Sequence, residues 1–351
     1  MAELENPKGR GTGENPANRF ERIDYVLDED VDPAERPAPR TQFFKDSSRS
    51  AIVYNDSPDT PFRAGLNPYR GCEHGCVYCY ARPYHEYLGF SAGLDFESRI
   101  MVKEDLPALL KKELSSPRWE PQVIAMSGVT DCYQPIERKL GLTRKCLEVL
   151  AEFRNPVGII TKNHLVSRDV DLLKELASHR AAVACLSITT LDPELARAME
   201  PRASHPEKRL EAIRVLSAAG VPVSVNVAPV VPGLTDHELP AIIAAAAKAG
   251  ATMAGYQLVR LPHGVKDLFA DWLKRKHPLR REKVLNQIRS VRHGQLNVST
   301  MGERMKGAGP IAEQVSAMFK LACRKAGLAT RWANLSADAF RVPPGPQLTL
   351  F

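Results

Sequence analysis

Short apolar runs alternate with longer amphipathic stretches along most of this chain, and this alternation is typical of repeated β–α units around a parallel sheet. Each amphipathic stretch is long enough to form a helix that crosses back over the sheet. The pattern therefore predicts an α/β fold, a partial (β/α)6 barrel of the TIM-like kind. Six strands are expected, at Phe62–Asn67, Val123–Met126, Val157–Thr161, Val183–Ile188, Val223–Ala228 and Gly255–Val259.

Helical periodicity fills the intervals between the expected strands. Two of the expected helices end at Gly220 and Gly250, and glycine commonly terminates a helix. Beyond the sixth strand the pattern becomes helical again. The expected helices are Lys103–Leu114, Leu140–Arg154, Val170–His179, Pro206–Ala219 and Asp236–Ala249 between the strands, and Phe269–Arg275, Arg281–Val291 and Ile311–Ala326 after them.

Composition divides the chain into four parts. Residues 1–50 contain five prolines, many charges and few apolar side chains, so we expect a mostly disordered arm that cannot bury enough apolar surface to offset its ordering entropy. Residues 51–262 are expected to form the barrel, 263–340 a basic helical extension and 341–351 a proline-rich tail. The sequence shows no apolar run of about 18 residues and no signal peptide, which predicts no membrane contact and a cytoplasmic location.

Three of the seven cysteines fall within eight residues, in the segment that follows the first expected strand. Cys72, Cys76 and Cys79 have the spacing C-x3-C-x2-C. A cuboidal 4Fe–4S cluster has four corners for ligands and selects thiolates, so three cysteines leave one iron open. The alternative is a zinc knuckle in which His74 or Cys132 completes a tetrahedral site.

The triplet resembles the cluster motif of the radical SAM superfamily. The resemblance implies that the open iron binds S-adenosylmethionine, which is cleaved reductively to a 5′-deoxyadenosyl radical that abstracts hydrogen from a substrate. It also implies that Tyr78, just before the third cysteine, lies along the adenine. Because this reaction needs a cluster of low potential, a flavodoxin or ferredoxin is the implied electron donor.

A closer resemblance, over roughly Asn67–Leu261, is to the branch that contains spore photoproduct lyase and the DNA repair photolyases. It implies a lyase-like enzyme of DNA repair. Lysine and serine at the ends of two strands contact the carboxylate of the cofactor in that branch, which assigns these roles to Lys162 and Ser187. The positions that carry the resemblance are Tyr80, Thr161–Lys162, Ser187–Ile188 and Ala228–Val230, so Tyr80 and Val230 join the expected cofactor-binding residues.

The chain departs from this branch after the second strand. Spore photoproduct lyases have Cys-Thr-Ser-Asp there, and their cysteine returns a hydrogen atom to the product radical, whereas this chain has Gly128-Val129-Thr130-Asp131. The thiol is missing at the matching place, which argues against spore photoproduct as the substrate. Cys132 is the candidate substitute donor, and its alternative role is core packing. Thr130 and Asp131 are expected to be ligands of cofactor or substrate.

Two further segments point to nucleic acid. Between Arg260 and Lys306 the chain has twelve Lys or Arg against four Asp or Glu, an excess that would suit DNA phosphates or would form a solvated helix surface. The last five residues, Gln347–Phe351, resemble the peptide that docks bacterial repair proteins on the sliding clamp, with glutamine as hydrogen-bonding residue and Leu350 and Phe351 as anchors. Packing of these two anchors on the protein body is the alternative.

Together these features favour a radical SAM enzyme that acts on DNA and repairs a modified or cross-linked base. A radical SAM enzyme that modifies RNA, a peptide or a small molecule is the second hypothesis. A zinc-stabilised nucleic-acid binder without catalysis is the third, and the metal content of the protein distinguishes it from the other two.

Overall fold

The structure is a computed structural model that describes residues 7–21 and 40–344. Its strands are β1 Gln42–Lys45, β2 Ile52–Tyr54, β3 Ala64–Leu66, β4 Tyr69–Arg70, β5 Arg99–Val102, β6 Ile124–Met126, β7 Val157–Thr161, β8 Ala182–Ser187, β9 Val223–Val230 and β10 Met253–Leu258. The larger sheet has the strand order β10-β9-β8-β7-β6-β3-β2, and all neighbours are parallel except β2 and β3. A smaller sheet has the order β1-β5-β4.

Helices connect the parallel strands and continue after β10. Within the described ranges, none of them is long and apolar enough to cross a membrane. They are α1 Leu94–Ser98, α2 Leu106–Leu114, α3 Glu137–Leu140, α4 Leu142–Phe153, α5 Val170–Ser178, α6 Pro193–Met199, α7 Pro206–Ala218, α8 Leu239–Lys248, α9 Val265–Lys276, α10 Arg281–Ser290, α11 Glu303–Lys306 and α12 Pro310–Ala326.

The predicted partial (β/α)6 barrel is confirmed. Each of the six expected strands is present, with ends shifted by a few residues, and β7 has the expected bounds. The barrel stays open because β2 adds an antiparallel strand at one edge instead of closing onto β10. At the other edge the chain after α12 covers β10, where the Ala254 amide donates to the Ala329 carbonyl at 2.8 Å.

Two hydrophobic clusters support the site. The larger one fills the space between the sheet and its helices, with β7 residue Ile159 and α4 residue Leu150 fully buried. The second cluster joins the cysteine loop to α9, because Val77 and Tyr78 belong to the same buried group as Trp272. Burial of one such large apolar side chain stabilises the fold by about 1.5–3 kcal/mol. The helical extension is therefore packed against the loop that carries the cysteines.

Within residues 1–50, the segment expected to be a mostly disordered arm, the structure describes residues 7–21 and 40–50, and these are packed against the barrel. This segment packs through polar contacts rather than apolar ones. The Asn15 side chain pairs with Asp95, and the Asn18 amide donates to two backbone carbonyls. Arg10 is 7% exposed and donates to the Glu97 carbonyl at 2.7 Å. A prediction of disorder from low apolar content does not take such contacts into account. Their hydrogen bonds offset part of the entropy that the segment loses on ordering.

Candidate active site

The three clustered cysteines lie in the loop at the carboxyl end of β3, where a parallel barrel places its ligands. Cys72 and Cys76 are 7% exposed and Cys79 is partly exposed. The loop turns tightly at Gly71 and Gly75, whose φ angles are +78° and +66°, in the region that favours glycine. Its backbone is fixed from two sides, because the Cys72 amide donates to Phe96 and the Val77 amide donates to Met199.

The surroundings of the three thiols suit ligands of a metal cluster. Burial raises the pKa of each, and for Cys72 the nearby Asp131 and the other two thiols raise it further. Lys162 lowers the pKa of Cys76 and Cys79 and so opposes this effect. Buried thiols of this kind become stable thiolates when a metal supplies compensating charge.

His74 and Cys132, the side chains that would complete a zinc site with the three cysteines, both have other contacts. In the described part of the chain, no three His, Cys, Asp or Glu side chains converge on a place for a single metal ion. His74 instead interacts with Asn163 through Nε2 at 3.1 Å and with Asp131 through Nδ1 at 3.4 Å. Cys132 is 0% exposed and belongs to the main core. A cuboidal cluster needs no such convergence, since each thiolate binds a different iron.

Asp131 ties the cysteine loop to the end of β7. Its carboxylate accepts hydrogen bonds from the Thr161 hydroxyl at 2.7 Å and from the Lys162 amide at 2.8 Å, and it contacts His74 of the cysteine loop. It also accepts from the Tyr133 amide. Burial would raise the pKa of Asp131, but His74 and these donors outweigh burial and hold it below its usual value. Asp131 therefore positions the loop.

Below the cysteine loop lies a buried ionic network, here called the Glu200 network, made of Tyr78, Lys162, Thr189, Glu200 and Arg209. Glu200 is 2% exposed and pairs with the Arg209 guanidinium, the Tyr78 hydroxyl and the Thr189 hydroxyl. Burial would raise the pKa of Glu200, yet Arg209 and Lys162 together hold it far below its usual value. The carboxylate thus stays charged and fixes the groups around it.

The residues expected to bind the cofactor differ from one another in burial and in hydrogen-bond partners. Lys162 follows β7, and its ammonium donates to the Ala228 carbonyl at 2.8 Å and lies 3.3 Å from Glu200. Ser187 ends β8, and among the described residues its hydroxyl has no hydrogen-bond partner, while its carbonyl accepts from Arg209. Val230 ends β9 and is fully buried. Tyr78 is 6% exposed, with its hydroxyl directed into the Glu200 network.

The candidates Thr130 and Cys132 after β6 are buried. Thr130 is 4% exposed and donates to the Tyr69 carbonyl at 2.9 Å. Cys132 is enclosed by the main core, and its carbonyl accepts from the Thr143 hydroxyl at 2.6 Å. Cys132 therefore packs in this core, and a donor role for it stays a prediction. Gly128, at the position where the thiol was missing, borders open space, since a Cβ built there meets no atom within 4 Å.

Aromatic and cationic side chains continue from the third cysteine toward the outside. The Tyr80 ring lies 5.3 Å from the guanidinium carbon of Arg260, and Tyr80 is 39% exposed. The Nε atom of Arg260 is buried and has no acceptor among the described residues. The Asp59 carboxylate interacts electrostatically with Arg260, but its ion pair is with Arg304. This region therefore holds positive charge beyond what the described chain neutralises there.

The basic segment Arg260–Lys306 is only partly directed to solvent. Arg292 is 1% exposed and donates to the Val259 carbonyl at 2.9 Å, and the Lys306 ammonium lies 3.7 Å from the centre of the Tyr256 ring. These two cations hold the extension on the barrel. The exposed cations of the segment include Lys266, Lys276, Arg280 and Lys283.

Sequence reasoning missed Asn163, Thr189, Glu200 and Arg209. One signal was available, because Arg209 stands on the buried face of α7 in helical register with Ala212, Ile213 and Leu216. A charged residue on such a face needs a buried partner. Its partner Glu200 gives no comparable signal, since it lies in the turn after α6.

Comparisons with known proteins agree with this geometry. The family model described as the radical SAM superfamily matches residues 66–246. An uncharacterized protein of Mycobacterium tuberculosis is 40% identical over 223 residues, which are 62% of this chain and 65% of that protein's length. A radical SAM Nalpha-GlyT isomerase of Pseudomonas phage M6 is 28% identical over 49% of this chain and 34% of its own.

Among solved structures, spore photoproduct lyase complexed with dinucleoside spore photoproduct matches with a TM-score of 0.58. The match covers 83% of this chain and 82% of that one, with 15% sequence identity. At that identity the likeness concerns the fold. It covers a larger share of the chain than the family model does.

Proposed function

The chain belongs to the radical SAM superfamily, and on that premise we propose that it is a radical enzyme that acts on nucleic acid, with a modified or cross-linked DNA base as the reacting group. The superfamily uses a 4Fe–4S cluster and S-adenosylmethionine. Cys72, Cys76 and Cys79 would hold three irons and leave one for the cofactor. When bound, these groups supply a 5′-deoxyadenosyl radical that takes hydrogen from the substrate.

The residues at the strand ends would orient the cofactor. An ammonium and a hydroxyl are suitable donors for its carboxylate, and Lys162 and Ser187 follow neighbouring strands. The Glu200 network holds the Lys162 ammonium in place, and the Ser187 hydroxyl is available for a ligand. The protein thus contributes position and charge while the cofactor contributes the reactivity.

The observation that carries the proposal is a strip of exposed aromatic rings beside the cysteine loop, here called the aromatic strip: Tyr80, Tyr84, Tyr87 and Phe20. Tyr84, Tyr87 and Phe20 are each more than half exposed, and the Phe20 and Tyr87 rings stack at 4.7 Å. A contiguous patch of exposed apolar side chains commonly marks a binding surface. Bases of single-stranded or opened nucleic acid stack on such rings whatever their sequence.

Cations border the aromatic strip. Arg260 lies over Tyr80, and Arg19 lies 4.9 Å from the centre of the Phe20 ring. Arg19 is paired with Glu86, whereas the Nε of Arg260 has no acceptor among the described residues. Aromatic rings with interleaved guanidinium groups are the arrangement that binds a phosphate backbone and its bases together.

Two similar proteins support a nucleic-acid substrate and radical chemistry. The solved neighbour is bound to a dinucleoside, and the phage relative is named an isomerase of the radical SAM kind. Gly128 in place of the thiol argues against spore photoproduct itself, because Cys132 is enclosed in the core. The proposal is therefore a DNA-directed radical reaction with a different substrate.

Docking of Gln347–Phe351 on a sliding clamp stays a prediction, since these residues lie outside the described ones. A peptide with this sequence should bind the clamp, and loss of the last five residues should abolish binding of the full chain. Unchanged clamp affinity of the shortened chain would contradict it.

Anaerobic turnover tests the proposed function. The purified protein, reduced with dithionite and supplied with S-adenosylmethionine, should release deoxyadenosine faster with damaged single-stranded DNA than with RNA, peptide or buffer. The variant with Cys72, Cys76 and Cys79 replaced by alanine should lose iron and release none. Stoichiometric zinc without iron, or equal stimulation by RNA and DNA, would contradict the proposal.

A further inference from the structure

A cleft of about 490 Å³ lies on the outer side of the cysteine loop. Its floor is Glu73, the neighbour of Cys72, which is 3% exposed. The Glu73 amide donates to Gln134, and its carboxylate accepts from the Ile136 amide at 2.7 Å. The cleft therefore touches the backbone of the loop that holds the cysteines.

The cleft is strongly cationic. Five Lys or Arg side chains line it against the single carboxylate of Glu73, which is already paired with Arg202 at 3.1 Å. Arg10 and Arg202 are held in place because both donate to the Thr41 hydroxyl, at 3.1 and 3.2 Å. The remaining three cations, Lys8, Arg40 and Lys139, are exposed.

One wall of the cleft is formed by the segment that contains Lys8, Gly9 and Arg10. This segment packs directly on the cysteine loop. A Cβ at Gly11 would lie 1.7 Å from the Gly75 carbonyl oxygen, so the two backbones are in close contact. Gly75 is the residue before Cys76. A partner seated in this cleft would contact Glu73, the neighbour of Cys72, and electron transfer is faster over such a short path than over a long one.

We infer that this cationic cleft docks the acidic one-electron carrier, of the flavodoxin or ferredoxin kind, that reduces the cluster. The carrier loses one electron and the cluster gains one, with no bond made or broken. Acidic carriers match the five cations in charge, and steering between opposite charges raises the rate of encounter. The inference rests on membership of the radical SAM superfamily and not on the nucleic-acid substrate.

The cleft and the aromatic strip share no residue. The carrier would approach past Lys8 and Lys139, whereas the substrate would approach past Tyr80 and Arg260. Reduction and substrate binding can then occur on the same molecule without competition for a surface.

The test compares two variants of equal charge change. Lys8→Glu, Arg40→Glu and Lys139→Glu are combined in the cleft variant. The control combines Lys112→Glu, Lys174→Glu and Lys320→Glu, which are exposed on α2, α5 and α12. Titration of each iron-loaded protein with oxidised flavodoxin at low salt should give a Kd at least tenfold higher for the cleft variant than for the control.

Deoxyadenosine release adds a second readout. With flavodoxin and its reductase, the cleft variant should be slower than the control, while with dithionite the two should be equal. Equal flavodoxin Kd values for the two variants would overturn the inference. So would a cleft variant that binds flavodoxin normally but loses affinity for DNA, since the cleft would then bind phosphates. None of these measurements depends on the identity of the substrate.

Discussion

The Tyr80 hydroxyl donates a hydrogen bond of 2.7 Å to the Gly128 carbonyl. The residue after the third cysteine is thereby tied to the loop after β6, at the place where the related lyases carry a thiol. One contact thus joins the cysteine loop, the aromatic strip and the position expected to lie beside the substrate.

Replacement of Tyr80 separates the roles of its ring and its hydroxyl. Tyr80→Phe keeps the ring beneath Arg260 and removes the hydrogen bond, so we expect a stability loss of about 1 kcal/mol and unchanged affinity for single-stranded DNA. Tyr80→Ala removes the ring and should weaken DNA binding by about 1–3 kcal/mol. Fluorescence anisotropy with a labelled oligonucleotide measures the DNA affinity of both variants. Equal DNA affinity of the two would contradict a stacking role for the ring.

Gly128 should accept a cysteine. A Cβ there meets no atom within 4 Å, so Gly128→Cys should fold with a free energy of unfolding within about 0.5 kcal/mol of the parent. The introduced thiol should react with iodoacetamide in the native, iron-loaded protein, whereas the enclosed Cys132 should not. Mass spectrometry of the labelled peptides distinguishes the two sites. Protection of the introduced thiol would show that the loop closes over this space.

Glu200→Gln tests the buried network. The substitution leaves the Arg209 guanidinium and the Lys162 ammonium without their carboxylate, and loss of one partner of a buried ion pair costs about 3–5 kcal/mol. The control is Glu152→Gln, which breaks the exposed pair of Glu152 with Lys111 and should cost less than about 1 kcal/mol. Urea denaturation gives both values. A cost for Glu200→Gln as small as that of the control would contradict the network's role.

Acid should destabilise the fold through Asp131. Its folded pKa lies below the ordinary value of 3.8, so its contribution to stability is complete above the unfolded pKa and is lost as the pH falls through the folded pKa. The free energy of unfolding should thus decline below about pH 4. In Asp131→Asn this part of the decline should be missing. A parallel pH dependence of the two proteins, measured by urea denaturation, would exclude Asp131 as a source.

Arg260→Gln should weaken nucleic-acid binding in a salt-dependent way. If Arg260 contacts a phosphate, its loss should lower the slope of log K against log salt by about one and affect different sequences alike. Lys174→Gln, on the exposed surface of α5, is the matched control. Anisotropy titrations at several salt concentrations give the slopes. A slope equal to that of the parent would remove Arg260 from the phosphate-binding surface.

Local patterns made the barrel and the cysteine loop predictable. The strand Val157–Thr161 is a continuous apolar run between helical patterns, and the cysteine spacing is a property of eight consecutive residues. Such signals need no knowledge of which distant residues meet. The rule that ligands gather at the carboxyl ends of parallel strands then placed Lys162 and Ser187 at strand ends, where the structure has them.

Pairings between distant polar residues were not predictable in the same way. Asn15 meets Asp95, and Glu97 meets the backbone of Gly11, each pair far apart in the sequence. Through these contacts Gly11 and Asn15, which lie in the segment expected to be disordered, pack against α1. The complete burial of Cys132 could not be predicted either, because a lone cysteine gives the same sequence signal in a core and at a reactive surface.

The close contact of Gly11 with Gly75 has a consequence for oxygen sensitivity. There is no room for even a methyl group on Gly11 against the cysteine loop. The segment around Gly11 therefore shields one side of that loop from the solvent. A shortened chain that begins at residue 40 would keep every cysteine and every barrel strand, yet dissolved dioxygen would reach the thiolates from the side that the segment now closes.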